Sequence, residues 1–261
     1  MHALARWWHR RVRSSVRHAW GLAPLEGAWV LVGLTRQSAT LVKVHTLATC
    51  LVSKASDTAD EMADNMADLG VLSQHLREHG RSRGGSHQRL NMALPNAFVH
   101  EGFLDFPIDL PEENWLYEVQ LEVAQACQLE LDEVNFDFEP ANTTDGLVQR
   151  VHWVGCAQAQ MTAFKNCTRA AGWRLAAVEL ELQAAQRGVR ALQGGSVSLL
   201  TQAPQDWQFR LDTLGGAAPT DDRTPESEES EETIQAALAQ IMHTPGGARL
   251  VAAGLALKAW Q

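Results

Sequence analysis

An α/β fold follows from three features of the sequence. Short β-branched runs bounded by turn residues alternate with longer segments whose apolar residues recur every three or four positions, the pattern of strands separated by helices. The 261 residues are 45% hydrophobic and 20% charged, so the chain can bury a sizeable core and offset its ordering entropy. Residues 98–172 form a self-contained strand–helix–strand–strand–helix pattern, the size of a small inserted subdomain.

The elements follow in chain order. Residues 1–24 read as a basic amphipathic N-terminal arm. Arg6, Arg10, Arg11, Arg13 and Arg17 occur there with no acid in residues 1–20, and Leu4, Trp8, Val12, Val16 and Trp20 form an apolar stripe at four-residue spacing. Trp7, Trp8 and Trp20, with Arg10, Arg11 and Arg13, suit an anionic membrane surface or a partner's groove. They equally suit a terminus folded back onto the protein's own surface, with an organelle transit peptide a lesser alternative. A cleavable secretory signal does not fit, because the first apolar run (28–34) comes late and lacks a small-residue cleavage site.

That run, a polar turn at 35–38 and an alternating segment at 39–45 make a hairpin that opens a sheet. Residues 55–79 form a helix with its stripe at Met62, Met66, Leu69, Leu72 and Leu76, closed by Gly80. A loop at 81–86 leads to a strand at 91–94, stopped by Pro95. The insert opens with a strand at 98–103. Its first helix begins after Pro111 with Glu112 and Glu113, whose charges suit the positive helix end, and runs to Gln128. Strands at 133–139 and 147–156 flank a turn at 142–146, and a helix follows at 159–171. Beyond Gly172 come a strand (174–178), a helix to Leu192, and two weaker strands (196–200 and 207–211). An acidic linker at 219–232, which includes DDRTPESEESEE, has charges that repel and little to bury. A helix at 232–242 and an apolar segment at 250–260 follow it.

Several function classes are excluded or weighed on residues alone. No stretch approaches the roughly 18 uninterrupted apolar residues of a membrane span. The four cysteines, Cys50, Cys127, Cys156 and Cys167, are scattered without a CxxC pair, which argues for reduced thiols rather than a disulfide scaffold. The acidic body carries no nucleic-acid motif, so no nucleic-acid partner is expected. His75, Glu78 and His79 match H-x-x-E-H, in which two histidines on one helical face hold zinc beside a general base. The competing reading is a helix end where histidines complement the dipole, and no third ligand is evident. No G-x-S-x-G elbow, P-loop or dinucleotide fingerprint occurs.

A sequence of weak motifs goes further. Residues 93–100 (ALPNAFVH), Phe106-Pro107, the acidic helix, LELDEVNFDF at 129–138, residues 151–172 leading into Ala-Gly-Trp, VELE at 178–181 and VAAGLALK at 251–258 occur in an order that resembles the PilM family of type IV pilus assembly proteins. That family is related to the division protein FtsA. The resemblance implies an actin-like (ribonuclease H-like) lobe with an inserted β-α-β-β-α subdomain and, given the chain length, a reduced second lobe. The lobe would comprise 25–97 and 173–261, and the insert 98–172. The implied role is that of a non-catalytic cytoplasmic adaptor, peripheral to the bacterial inner membrane, in a type IV or competence pilus. It would bind the N-terminal tail of a PilN-like membrane protein in a groove between insert and lobe, with Leu94, Phe98, Phe103, Phe136 and Trp153 as candidate contacts. The family's first phosphate loop aligns with residues 33–43, where Gly33, Ser38 and Lys43 remain but an uncharged residue stands at the aspartate position. The second loop, at 194–200, lacks its acid, and Gly246-Gly247 is a faint imitation of an adenosine-binding turn. No cofactor is therefore expected; a nucleotide-binding actin-like ATPase, using ATP and Mg²⁺, is the alternative.

Overall fold

Nine strands and seven helices account for the regular structure of a computed structural model that describes residues 16–52, 61–80, 88–107, 109–141, 148–214 and 230–261. These residues cluster into two units, 95–167 and the remainder of the chain.

The larger unit is built on a six-stranded sheet. Its strands are β1 (His18–Leu25), β2 (Ala28–Arg36), β3 (Leu41–Leu51), β4 (Gln88–Ala93), β8 (Trp173–Glu179) and β9 (Gln208–Arg210), in the order β8-β4-β1-β2-β3-β9. β1, β4 and β8 are parallel, whereas β2, β3 and β9 continue antiparallel. This mixed order, with β9 added at one edge, is that of an actin-like, ribonuclease H-like lobe. The first strand begins earlier than the sequence suggests. Residues 18–24, including Trp20, belong to β1 rather than to an arm, and Trp20 is buried. The remaining arm residues, Trp7, Trp8, Arg10, Arg11 and Arg13, lie outside the described residues, as does most of the acidic linker.

One face of the sheet is shaped by α7 (Pro245–Leu257), whose residues from Gly247 onward are buried except Arg249. Thr244 caps it by accepting a hydrogen bond from Gly247 N, and Pro245 occupies its first turn. The helix is made of alanine, glycine and leucine, which lets its backbone lie directly against β1. A Cβ at Gly21 would sit 2.8 Å from Ala256 N. The same logic joins α7 to α4 (Glu181–Ala191), where a Cβ at Gly254 would come 2.6 Å from the Ala184 carbonyl carbon. Across the sheet, α1 (Glu61–His79) buries Leu72 and Leu76, worth about 2 kcal/mol each as an upper estimate. There Trp20 meets Trp173 edge-on at 5.3 Å, and Trp173 Nε1 donates to Leu76 O at 2.8 Å.

Residues 195–201 form a helix, α5 (Gly195–Thr201), where the sequence suggests a strand. Gly194, at φ +84°, turns the chain immediately after Leu192 has bridged to Phe209, and Ser198 N then closes a helical turn onto Gly194 O. Beyond the linker, α6 (Glu231–Ile241) is capped by Ser230, whose hydroxyl accepts from Thr233 N. Every described strand of residues 173–261 joins the same six-stranded sheet. The expected reduced second lobe has no sheet of its own among the described residues.

The smaller unit orders β5 (His100–Pro107), β7 (Val148–Ala157) and β6 (Val134–Pro140) as an antiparallel sheet β5-β7-β6. The first strand starts at 100 rather than 98, because Asn96–Phe98 coil into a 3₁₀ turn. α2 (Glu112–Cys127) covers one face with Trp115, Val119 and Val123, and Phe106 stacks on Trp115 at 5.4 Å. α3 (Gln158–Ala170) follows β7 directly.

Candidate functional site

Parallel α/β sheets bind ligands at the carboxyl ends of their strands. In the larger unit that end is formed by β1, β4 and β8. The connection leaving β1 is a two-residue turn, Glu26-Gly27, with Leu25 already paired to Ala28. Gly27 takes φ +65°, and its carbonyl accepts from Val52 N at 2.9 Å. A cradle for phosphates needs several backbone amides turned inward, and this turn is too short to offer them.

At the end of β8 stands a charged cluster instead. The Glu179 carboxylate, with a side chain only 6% exposed, receives both terminal nitrogens of Arg187 at 2.6 and 2.9 Å and the Lys258 ammonium. Arg187 also donates to Gly254 O at 3.1 Å. Burial alone would raise the Glu179 pKa, but the hydrogen bonds and charges of Arg187 and Lys258 outweigh it and hold the carboxyl below its ordinary range. The cluster ties β8, α4 and the end of α7 together.

The residues aligned with a phosphate loop lie elsewhere. Gly33 is in the middle of β2, where the rings of His45 and Trp20 occupy the space a side chain would need. Ser38 caps the β2–β3 turn, its hydroxyl accepting from Thr40 N and Leu41 N. Lys43 is exposed on β3. That turn sits at the end where β1 begins, with Arg36 N bonded to Arg17 O at 2.9 Å, opposite the carboxyl ends of the parallel strands. The alignment is corrected accordingly: the first hairpin turn is Glu26-Gly27 and residues 33–43 span the second, because β1 begins at His18. Gly247 has a packing reason of its own, since a Cβ there would come 2.7 Å from the Ile241 carbonyl carbon.

His75 and His79 do face each other, with ring centroids 4.7 Å apart on the last turns of α1. His79 Nδ1 donates to His75 O at 3.1 Å. Burial, and then the neighbouring His79, lower the His75 pKa, against a smaller opposing effect of Glu78. Among the described residues no group of three His, Cys, Asp or Glu could share a metal ion.

The candidate peptide contacts are divided between the two units, Leu94 in the larger and the other four in the smaller. Leu94 is buried in the larger unit, its amide donating to Glu179 O at 3.3 Å. Phe98 ends the 3₁₀ turn, partly exposed. Trp153 is 4% exposed, and it and Phe136 pack in the core beneath α2. Phe103 is 60% exposed on the opposite face of the same sheet, stacked on His152 at 4.9 Å. The pleat explains this: Phe103 pairs with His152 and Gly102 with Trp153, so Phe103 and Trp153 point to opposite faces. Beside Phe103, Asp105 and Arg150 form a fork at 2.7 and 2.8 Å, which lowers the Asp105 pKa. Sequence reasoning missed the other flank of this unit, where Leu104 and Leu121 line an open cleft between β5 and α2.

The lobe and its insert together define an actin-like α/β protein with a small inserted subdomain. Neither a family model nor a curated protein matches the chain. Among solved structures, it is similar to a chain of the "PilM-PilN type IV pilus biogenesis complex", with a TM-score of 0.51 and 18% identity, covering 67% of this chain and 51% of that one. The chain thus spans about half the length of that relative. A weaker likeness, at TM-score 0.45 and 9% identity, is to the cytoplasmic domain of EpsL, an inner-membrane component of the type II secretion system of Vibrio cholerae, covering 64% of this chain and 58% of that one. At these identities the likeness is one of fold. No helix among the described residues is long and apolar enough to cross a membrane.

Proposed function

We propose that the chain is a non-catalytic adaptor of a type IV or competence pilus assembly machine, working at the cytoplasmic face of a bacterial inner membrane. Its partner is the N-terminal tail of a PilN-like membrane protein. The observation that carries this reading is the two-residue Glu26-Gly27 turn, which leaves the carboxyl end of β1 without the amide cradle an ATPase of this fold requires. A fold shared with a component of a PilM–PilN complex, combined with a β1–β2 turn of only two residues, supports binding as the mode of action. The basic residues of the arm, among them Arg10, Arg11 and Arg13, would add affinity for anionic lipid beside the partner.

Two experiments test the proposal. Thermal unfolding with Mg²⁺ and millimolar ATP should leave the midpoint unchanged; a rise of several degrees would favour the ATPase alternative. A pull-down with the PilN-like tail should succeed with the intact chain and fail when residues 98–172 are replaced by a short linker.

A further inference from the structure

The inserted unit has a flank that its own fold leaves open. β5 pairs with β7 along its full length and stands at the edge of the sheet, so one row of its backbone groups has no strand partner among the described residues. Beside that edge, Leu104 and Phe106 of β5 and Glu118, Leu121, Glu122 and Gln125 of α2 bound a cleft of about 360 Å³. Leu121 is 45% exposed, and Tyr117, one turn earlier on the helix, is also exposed, so apolar surface continues out of the cleft. Neither residue belongs to the buried stripe Trp115, Val119 and Val123 that holds α2 to its sheet. Glu118 and Glu122 border Leu121, and neither carboxylate has a hydrogen-bond or ion-pair partner among the described residues. Asp105, by contrast, is already engaged by Arg150.

We infer that this flank docks an extended peptide, added to β5 as a fourth strand, whose cleft-facing residues alternate between apolar and basic. An exposed strand edge supplies main-chain hydrogen bonds to such a segment, and every second side chain of the added strand turns to the same face. The apolar ones enter the cleft against Leu104 and Leu121. The basic ones meet Glu118 and Glu122 at its lip, where opposite charge selects cations and rejects acids. The site needs nothing from the adaptor role, because its occupant is defined by shape and charge, whichever protein carries it.

Fluorescence anisotropy with a labelled nonapeptide, Arg-Thr-Leu-Thr-Arg-Thr-Leu-Thr-Arg, tests the site on the full chain. Saturable binding is expected, weakened about tenfold or more by Leu121→Glu and by N-methylation of the peptide amides that would face β5. The double reversal Glu118→Lys with Glu122→Lys should reject this peptide and accept its counterpart with glutamate for arginine. All three positions are on the outer side of α2, and matching circular-dichroism melts would show that the variants remain folded. No saturable binding up to about 1 mM, or equal affinity for the N-methylated peptide or for the Leu121→Glu variant, would overturn the inference. So would a dimer of the unliganded chain in sedimentation velocity that is lost in Leu121→Glu, since a second copy would then occupy the edge.

Discussion

Replacing Gly254 by alanine puts the packing of the larger unit to a quantitative test. In an ordinary helix this substitution stabilises by about 1 kcal/mol, because alanine has the higher helix propensity. Here the new methyl would stand 2.6 Å from the Ala184 carbonyl carbon and 3.2 Å from Gly188 N, both backbone atoms of α4. Carbon atoms pack favourably at about 3.5–4.0 Å, so α7 must withdraw from α4 by roughly 1 Å. That displacement would be felt along a helix buried against β1 as well. Overpacking against rigid neighbours costs about 3 kcal/mol at the upper end of its usual range, leaving a net loss near 2 kcal/mol. In a chain of this size the unfolding midpoint should fall by roughly 4–8 °C. Gly70→Ala is the control. A Cβ at Gly70, also inside a helix, would meet nothing within 4 Å, so that variant should melt about 2–4 °C higher. Differential scanning calorimetry of both variants decides the matter: a Gly254→Ala midpoint at or above that of the parent would refute the backbone contact between α4 and α7.

Glu179→Gln should destabilise by about 3 kcal/mol, because Arg187 and Lys258 lose the carboxylate that compensates them in a nearly buried site. Since the folded Glu179 pKa is depressed, its contribution is complete at neutral pH and lost as pH falls through the acid range, so urea titrations between about pH 6 and 3 should decline less steeply in the variant. His45 is held below its ordinary pKa by burial, then by His18, against a backbone hydrogen bond to Gly33, and His75 is lowered too. A folded state that binds fewer protons than the unfolded one loses stability on acidification; His45→Gln with His75→Gln should therefore flatten the midpoint between about pH 7.5 and 5.5. Burial pushes the Cys156 thiol up to about 11 and raises Cys127, so neither should react appreciably with iodoacetamide at neutral pH until denaturant is added, as mass spectrometry of the alkylated chain would show.

The parts of this fold that were legible are those in which local pattern and tertiary role coincide. α1 announces itself by its apolar stripe, α2 by Pro111 followed by Glu112 and Glu113, and β6 and β7 by alternation about a turn. β1 was hidden: Gly21 and Pro24 weaken its strand pattern, while Trp20 falls in step with Val16 and Trp8 as if on a helix. Missing that strand moved the phosphate-loop alignment one hairpin along, from Glu26-Gly27 to the Ser38 turn. The small residues of α7 read only as an apolar segment, since the reason for glycine at 254 lies on a different helix. Among the candidate groove contacts, Phe103 and Trp153 are both large apolar residues of the insert, yet they occupy opposite faces of its sheet. Which face each occupies depends on the β5–β7 register, a long-range property that no local pattern encodes. The β5–α2 cleft did leave a trace, because Leu116, Tyr117 and Leu121 are more apolar residues than the buried stripe of α2 can use.

Calorimetric titration of the purified chain with a synthetic peptide of the PilN-like protein's N-terminal cytoplasmic tail tests the adaptor role most directly. Under the proposed adaptor role, saturable, one-to-one binding is expected that does not change when Mg²⁺-ATP is included, since the β1–β2 turn has only two residues with which to cradle phosphates. No heat of binding without nucleotide, and binding restored by Mg²⁺-ATP, would contradict it and make the chain a nucleotide-gated member of its fold.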